Sequence, residues 1–144
     1  MGTRKINHAA VWIAIAAVQL FSFFWYSLFE NFWREQTIFQ SQLVSDTYKL
    51  GPIAVSLLAS IVAMYALAWL FRRLGIRNWR AGLAMGLLVG IAFNVISLFS
   101  IHAFSTKPEL IAFIDGGANA LLFAVAGLIL GAWPGPEEPR LQTS

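Results

Sequence analysis

Apolar residues in this chain gather in four long runs, and polar residues are concentrated between them. The runs cover about residues 8–29, 52–71, 81–101 and 110–133, each close to the roughly 20 residues that an α-helix needs to cross a bilayer. Backbone hydrogen bonds in lipid must be made within the segment, so each run predicts a helix. Strands of a membrane barrel would alternate apolar and polar residues, which these runs do not do. The pattern predicts an all-α integral membrane four-helix bundle made of two helical hairpins.

The segments outside the runs complete the predicted organisation. We expect one transmembrane domain over residues 1–133 and a disordered tail over 134–144, because Pro134 cannot continue the last helix and further prolines follow. The first connection mixes Trp33 and other apolar residues with Glu and Gln. This mixture predicts an interfacial helix over about 31–48. An ordered connector or a functional lid would have the same composition.

Lys and Arg are distributed unequally between the two ends of the predicted bundle. Seven lie beside the termini and the short loop between the second and third runs, and three lie in the other two connections. The positive-inside rule then places both termini in the cytoplasm of a multi-pass protein of the bacterial inner membrane. We expect the four arginines of the short loop to contact lipid headgroups, at about 1 kcal/mol each, with a dedicated phosphate or regulatory site as the alternative. They are Arg72, Arg73, Arg77 and Arg80.

Composition supports the membrane class and narrows the chemistry. Of the residues, 58% are hydrophobic and only 12% charged, whereas a soluble domain carries about 25% charged residues. There is no cysteine for a thiolate metal site, and His8 and His102 fall at opposite membrane faces, so they cannot jointly hold a haem or metal. We therefore expect no metal and no cofactor. Basic stripes interleaved with aromatic residues are absent too, which argues against a nucleic-acid partner.

Small residues recur every fourth position in the third and fourth runs. Such spacing lets helix backbones approach closely, which drives helix association in lipid. We expect Asn94 and Ser97 to continue the same side of the third helix. The bulky face of the fourth helix, which includes Ile114, is expected to meet lipid. The predicted packing residues are Gly82, Gly86 and Gly90 in the third run, and Gly116, Ala120, Ala124, Gly127 and Gly131 in the fourth.

Polar residues inside the runs concentrate in the half of each helix away from the arginine-rich loop. Asp115 is the only carboxylate well inside a run, and a charge there is costly unless it faces protein or water. We expect Asp115 to find donors such as Asn94, Asn119 or Gln19. The cluster could be interhelical hydrogen bonding alone, a proton or ion relay, or an outward-opening ligand pocket. Its members are Asp115, Asn119, Asn94, Ser97, Gln19, Ser22, Tyr26, Ser56 and Ser60.

Four features carry a resemblance to a known family. Trp25-Tyr26-Ser27, with Trp33 shortly after, ends the first run, and the third run has a glycine-rich start. Ile114-Asp115-Gly116-Gly117-Ala118-Asn119 lies in the fourth run, which closes with Gly131-Ala132-Trp133. Over about residues 7–133 the chain resembles the bacterial four-helix membrane proteins filed as domain of unknown function 1761.

The fourth run departs from the pattern of that family. Its members tend to read Ile-Asn-x-Gly-Tyr-His, where this chain has Asp115, Ala118 and Asn119 in place of the Asn, Tyr and His. The resemblance brings no activity with it, and these differences argue against family-wide chemistry by a Tyr or His at this place.

Three functions remain open at this point. The glycine faces favour a non-enzymatic homo-oligomer, or an accessory subunit of a larger membrane complex, with membrane lipids as its other partners. The cluster around Asp115 favours a small-solute or proton conductor. A membrane enzyme acting on a lipid is the third, with Asp115 as its single candidate acid. No second aspartate or positioned base accompanies it, so we expect no enzymatic activity.

Overall fold

Four helices make up most of the residues that the computed structural model describes, which are 5–31, 50–104 and 109–136. Each helix is long and apolar enough to cross a membrane, and the described ranges contain no strand. The predicted all-α architecture is therefore confirmed, and the chain is a multi-pass membrane protein. The helices are α1 (His8–Leu28), α2 (Leu50–Leu74), α3 (Trp79–Ala103) and α4 (Glu109–Ala132).

Several predictions about the parts of the chain outside the helices stay predictions. Apart from Asn31, the predicted interfacial helix over about 31–48 lies outside the described residues. So does the tail from residue 137 onward. The cytoplasmic position of both termini and the single-domain boundary at 133 stay predictions as well.

The short loop between α2 and α3 is formed by local capping. Gly75 adopts a φ of +69°, a left-handed conformation that glycine takes without steric cost at the end of a helix. Its neighbour Ile76 donates a backbone hydrogen bond of 3.0 Å to the Phe71 carbonyl. Asn78 then accepts a 2.8 Å bond from the Ala81 backbone N–H and begins α3. We call this side of the bundle, with the loop and the described terminal segments, the arginine end, and the opposite side the connector end.

The helices are arranged in the order α2, α1, α4, α3. α1 contacts α2 and α4, α4 packs along α3, and α2 and α3 barely touch each other. In the half of the bundle nearer the arginine end, α1, α2 and α4 share a packed apolar core. Val11, Ala14, Met64 and Ala126 are almost fully inaccessible there. This core fills the interior of the bundle between its middle and the arginine end.

A seam of small residues joins α3 to α4. An added Cβ at Gly82 would collide with the Gly127 carbonyl, and one at Gly86 would collide with the Phe123 carbonyl. Gly131 approaches the Asn78 carbonyl in the same way. The glycine faces of the two helices are therefore in contact with each other inside one chain, and a side chain at these positions would push the helices apart.

α3 contains a π-helical turn at Gly90–Val95, between α-helical segments Trp79–Val89 and Ile96–Ala103. The Ile96 N–H bonds to the Ile91 carbonyl, a spacing of five residues. Because such a turn adds one residue, it shifts the face that follows.

This shift corrects the predicted α3 face. Gly90 still faces α4, and beyond it Val95 and Phe99 lie against Gly116. Asn94 is partly buried and lies near Asn119 of α4 in the wall of the cavity described below. Ser97, expected on the same side as the glycines, is exposed.

Bulky apolar side chains cover the outside of the bundle, as lipid contact requires. Leu20, Phe24, Ile53 and Val62 are each at least 60% exposed. One predicted lipid-facing residue is an exception, because Ile114 is buried, at 6% exposure. The cause is the close approach of α1, whose Trp25 indole N–H donates a 3.2 Å hydrogen bond to the Ile114 carbonyl.

Candidate ligand cavity

A cavity of about 860 Å³ lies among all four helices in the half of the bundle nearer the connector end. This volume is within the range of about 300–1,000 Å³ usual for small-molecule sites. Val18 and Met64 form its floor near the middle of α1 and α2, and both also belong to the apolar core. Glu30, just beyond the end of α1, lies at its rim. Within the described residues, the cavity therefore ends at the apolar core in the centre of the bundle and extends to Glu30 at the connector end.

One wall of the cavity is held together by hydrogen bonds between α1 and α2. The Gln19 amide donates to the Ser60 hydroxyl at 3.0 Å and to the Ser56 carbonyl at 3.5 Å. Ser60 in turn donates to the Ser56 carbonyl at 2.9 Å. Gln19, Ser56 and Ser60 all line the cavity, and the Gln19 carbonyl oxygen and the Ser56 hydroxyl make no hydrogen bond within the described residues.

Two other polar groups in the wall have no partner within the described residues. They are the Ser22 hydroxyl on α1 and the Asn94 amide on α3, and both are partly buried. Asn119 lies beside them on α4 and uses one N–H of its amide for a 2.8 Å bond to the Asp115 backbone carbonyl. A partly buried polar group without a hydrogen-bond partner costs free energy, and water or a ligand that bonds to it removes this cost. These groups make the wall suited to a polar ligand.

Asp115 lies behind the cavity wall and does not line the cavity. Its carboxylate accepts a 2.9 Å hydrogen bond from the hydroxyl of Tyr26, and the Tyr26 side chain forms part of the wall. The expected donors were Asn94, Asn119 and Gln19. Of these, Asn119 reaches only the backbone of Asp115, and Gln19 points to α2. The reason is that α1 crosses close to α4 here, with the Trp25 ring packed 3.5 Å from the Cβ position of Gly117.

Ser97 is likewise outside the cavity. Its hydroxyl donates a 2.6 Å bond to the Phe93 carbonyl within α3, and the residue is exposed. Asn94, one turn nearer the centre of the bundle, is in the wall. Of the nine residues of the predicted polar cluster, the cavity is lined by seven: Gln19, Ser22, Tyr26, Ser56, Ser60, Asn94 and Asn119.

Some wall residues were not anticipated from the sequence. Ser27 and Glu30 lie near the rim, and Leu122 and Phe123 contribute apolar surface from α4. The position of Glu30 at the end of an apolar run could have indicated a rim carboxylate. Nothing in the sequence distinguishes Leu122 or Phe123 from lipid-facing residues.

The lining of the cavity has a definite charge character. Within the described residues it includes no Lys, Arg or His, whereas Glu30 is at the rim and Asp115 lies one hydrogen bond behind Tyr26. Among the described residues, an anion there would meet carboxylates and no cation, at a depth where unpaired charge is costly. The lining is thus suited to uncharged or cationic ligands. No group of three or more His, Asp or Glu residues among the described positions is arranged to hold a metal.

The arginines at the other end of the bundle are all exposed but have different surroundings. The Arg73 guanidinium lies 5.3 Å from the Trp69 ring centroid, and that of Arg80 lies 5.2 Å from the Trp79 ring. Both distances suit cation–π contacts. Arg72 instead lines a small cleft against the segment that precedes α1.

One of the comparisons with known proteins, that with protein families, gives a match. No curated protein and no solved structure matches the chain. A family match covers residues 9–131, which include every residue of the cavity wall and all four helices except His8 and Ala132 at their outer ends. The chain belongs to the family described as Protein of unknown function (DUF1761).

Proposed function

We propose that this protein binds a small polar solute, uncharged or cationic, in the cavity at the connector end. The observation that carries the proposal is a cavity of about 860 Å³ with the side chains of Ser22 and Asn94 in its wall, neither of which has a partner among the described residues. Hydroxyl and amide groups recognise hydroxyls, amines and amides, and they fix the orientation of a ligand whose apolar part contacts Met64 and Phe123. The proposal is one of binding without catalysis.

The direction of access follows from the distribution of Lys and Arg. With both termini in the cytoplasm of a bacterial inner membrane, the connector end faces outward. A solute then enters from outside and stops at the apolar core around Val18 and Met64. This blind floor supports solute binding over an open pore, since a continuous path for ions or protons would have to cross packed apolar side chains. Transport of the bound solute requires rearrangement of this core.

The predicted homo-oligomer or accessory subunit remains a prediction, and the geometry gives it no particular support. It was based on the glycine faces, and those of α3 and α4 contact each other within the chain. The surfaces left on the outside are bulky and apolar, as lipid contact alone requires.

Binding calorimetry on the detergent-solubilised chain tests the proposal with three probes of similar size. Erythritol is uncharged, tetramethylammonium is cationic and acetate is anionic. We expect saturable binding of erythritol or tetramethylammonium, weaker or no binding of acetate, and loss of binding in the double variant Ser22→Leu/Asn94→Leu, which fills the wall with apolar groups. Preference for acetate, or equal binding by the wild type and the double variant, would contradict the proposal.

A further inference from the structure

A second, smaller cleft lies at the arginine end, independent of the ligand cavity. It has a volume of about 50 Å³ and is bounded by the segment before α1, the end of α2 and the segment after α4. The Lys5 backbone N–H donates to the Pro136 carbonyl at 3.3 Å, and the Asn7 amide donates to the Trp133 carbonyl at 3.4 Å. Gly135 lies directly against the Lys5 carbonyl, where no side chain would fit. These contacts fix the walls of the cleft.

Two cationic side chains line this cleft, those of Lys5 and Arg72. Within the described residues, neither side chain makes a hydrogen bond, an ion pair or a ring contact. None of the described residues that line the cleft carries a carboxylate side chain. Arg73 and Arg80, by contrast, lie over tryptophan rings. Lys5 and Arg72 are therefore two basic residues that line one cleft at this end, with no counter-charge among the described residues.

The surroundings indicate which anion fits. A phosphate group offers several acceptor oxygens to a guanidinium fork and an ammonium group at once. The cleft lies where α1 begins and where α2 and α4 end, and Trp133 is part of its wall. Tryptophan at a helix end is typical of the headgroup level of a bilayer. The anion available at that level is the phosphate of a phospholipid.

We propose that the cleft between Lys5 and Arg72 binds one phosphate group, supplied by the headgroup of an anionic phospholipid. The ligand is thus held at a defined place, by two of the cations at this end, and not by the arginine loop as a whole. Free phosphate has the same chemistry and is the alternative source.

The test uses the full chain in detergent micelles and follows thermal unfolding by tryptophan fluorescence. Phosphatidylglycerol, phosphatidylcholine, sodium phosphate and sodium chloride are titrated separately. We expect a saturable rise in Tm with phosphatidylglycerol and little with phosphatidylcholine or chloride. In Lys5→Gln/Arg72→Gln the midpoint of that titration should move to about 30-fold higher lipid, as expected for two cation contacts that each contribute a factor of about 5.

Arg73→Gln/Arg80→Gln is the matched control, since it removes the same charge from the same end. Its titration should stay close to that of the wild type, and the Tm of both variants without lipid shows that they fold. A saturable effect of sodium phosphate that Lys5→Gln/Arg72→Gln abolishes would support the site but assign it to free phosphate.

Equal loss in the two double variants would mean diffuse surface attraction and would overturn the proposal. So would unchanged lipid binding in Lys5→Gln/Arg72→Gln. A third variant, Glu137→Gln/Glu138→Gln, neutralises the acidic residues that follow Pro136 in the sequence. Lipid binding that appears only in this variant would mean that the tail neutralises the cleft, which also contradicts the proposal.

Discussion

The hydroxyl of Tyr26 donates a 2.9 Å hydrogen bond to the carboxylate of Asp115 and thereby joins α1 to α4 near the connector end. The neighbouring Trp25 bonds to the Ile114 carbonyl and packs against Gly117. Two of the sequence motifs that carry the family resemblance, far apart in the chain, are therefore in direct contact. The hydrogen bond from Tyr26 to Asp115 holds the Tyr26 side chain in place, and Tyr26 forms part of the cavity wall.

Loss of the Tyr26 hydroxyl should destabilise the bundle. We expect Tyr26→Phe to lower the free energy of unfolding by about 1–3 kcal/mol, because the Asp115 carboxylate loses a donor while partly buried. Asp115→Asn should cost less, since its carbonyl oxygen still accepts from Tyr26. Unfolding in sodium dodecyl sulfate, followed by tryptophan fluorescence, measures both values. A Tyr26→Phe variant as stable as the wild type would show that the bond contributes nothing.

The glycine seam makes a second prediction about stability. Gly86→Ala should lower the free energy of unfolding by about 1–3 kcal/mol, because the added methyl group meets the Phe123 carbonyl and the Gly127 Cα. Gly51→Ala is the control, as no atom lies within 4 Å of its Cβ position. Its effect should be small, since the preference for alanine over glycine in a helix is opposed by the steric restriction that Pro52 places on the residue before it.

The same pair of variants distinguishes packing within one chain from packing between chains. If the seam is intramolecular, Gly86→Ala reduces stability without changing the mass of the detergent-solubilised particle, which light scattering measures. Dissociation of a larger particle by Gly86→Ala would instead mean that this glycine face holds copies of the chain together.

The π-helical turn predicts an unusual tolerance to deletion. Removing Ala92, which lies within Gly90–Val95, should convert the turn to regular α-helix and keep Gly90 and Val95 on the same face. Removing Leu87 from the regular segment Trp79–Val89 should instead rotate one part of the glycine seam away from α4. We expect the Ala92 deletion to unfold at a Tm near that of the wild type and the Leu87 deletion to be much less stable. Equal damage by both deletions would contradict this interpretation of the turn.

The sequence predicts the fold where the helices are regular and fails where a helix departs from regular α-helical geometry. Length and apolarity predict four helices, and the recurrence of glycine every fourth residue places Gly82 and Gly86 on one face. That recurrence ends at Gly90, where a π-helical turn begins that leaves no simple periodic signal, and Ser97, expected to continue the glycine face, is exposed. Residue counting along the helices gives the depth of the polar groups but not the partners of each side chain.

The hydrogen bond of Asp115 shows why residue counting does not identify the partner of a side chain. A carboxylate in an apolar run indicates that a donor must be near, and several candidates lay at a suitable depth. The choice of Tyr26 depends on how closely α1 crosses α4, which in turn depends on the small residue Gly117 beneath the Trp25 ring. Crossing distance is a property of the packed bundle and is not encoded in any single segment.

Access of water-soluble reagents to the cavity is the most direct measurement of the central claim. The chain has no native cysteine, so single variants Ser22→Cys and Ser97→Cys can be labelled with charged methanethiosulfonates. Each position lies six residues before the last residue of its helix, Leu28 and Ala103 respectively, and only Ser22 lines the cavity.

We predict that cationic methanethiosulfonate ethyltrimethylammonium modifies Ser22→Cys in proteoliposomes much faster than Ser97→Cys. It should also modify Ser22→Cys faster than the anionic ethylsulfonate reagent, after correction for the reactivity of each reagent with a free thiol. Equal modification of the two positions, or a preference for the anionic reagent at residue 22, would contradict a solute cavity of this charge character.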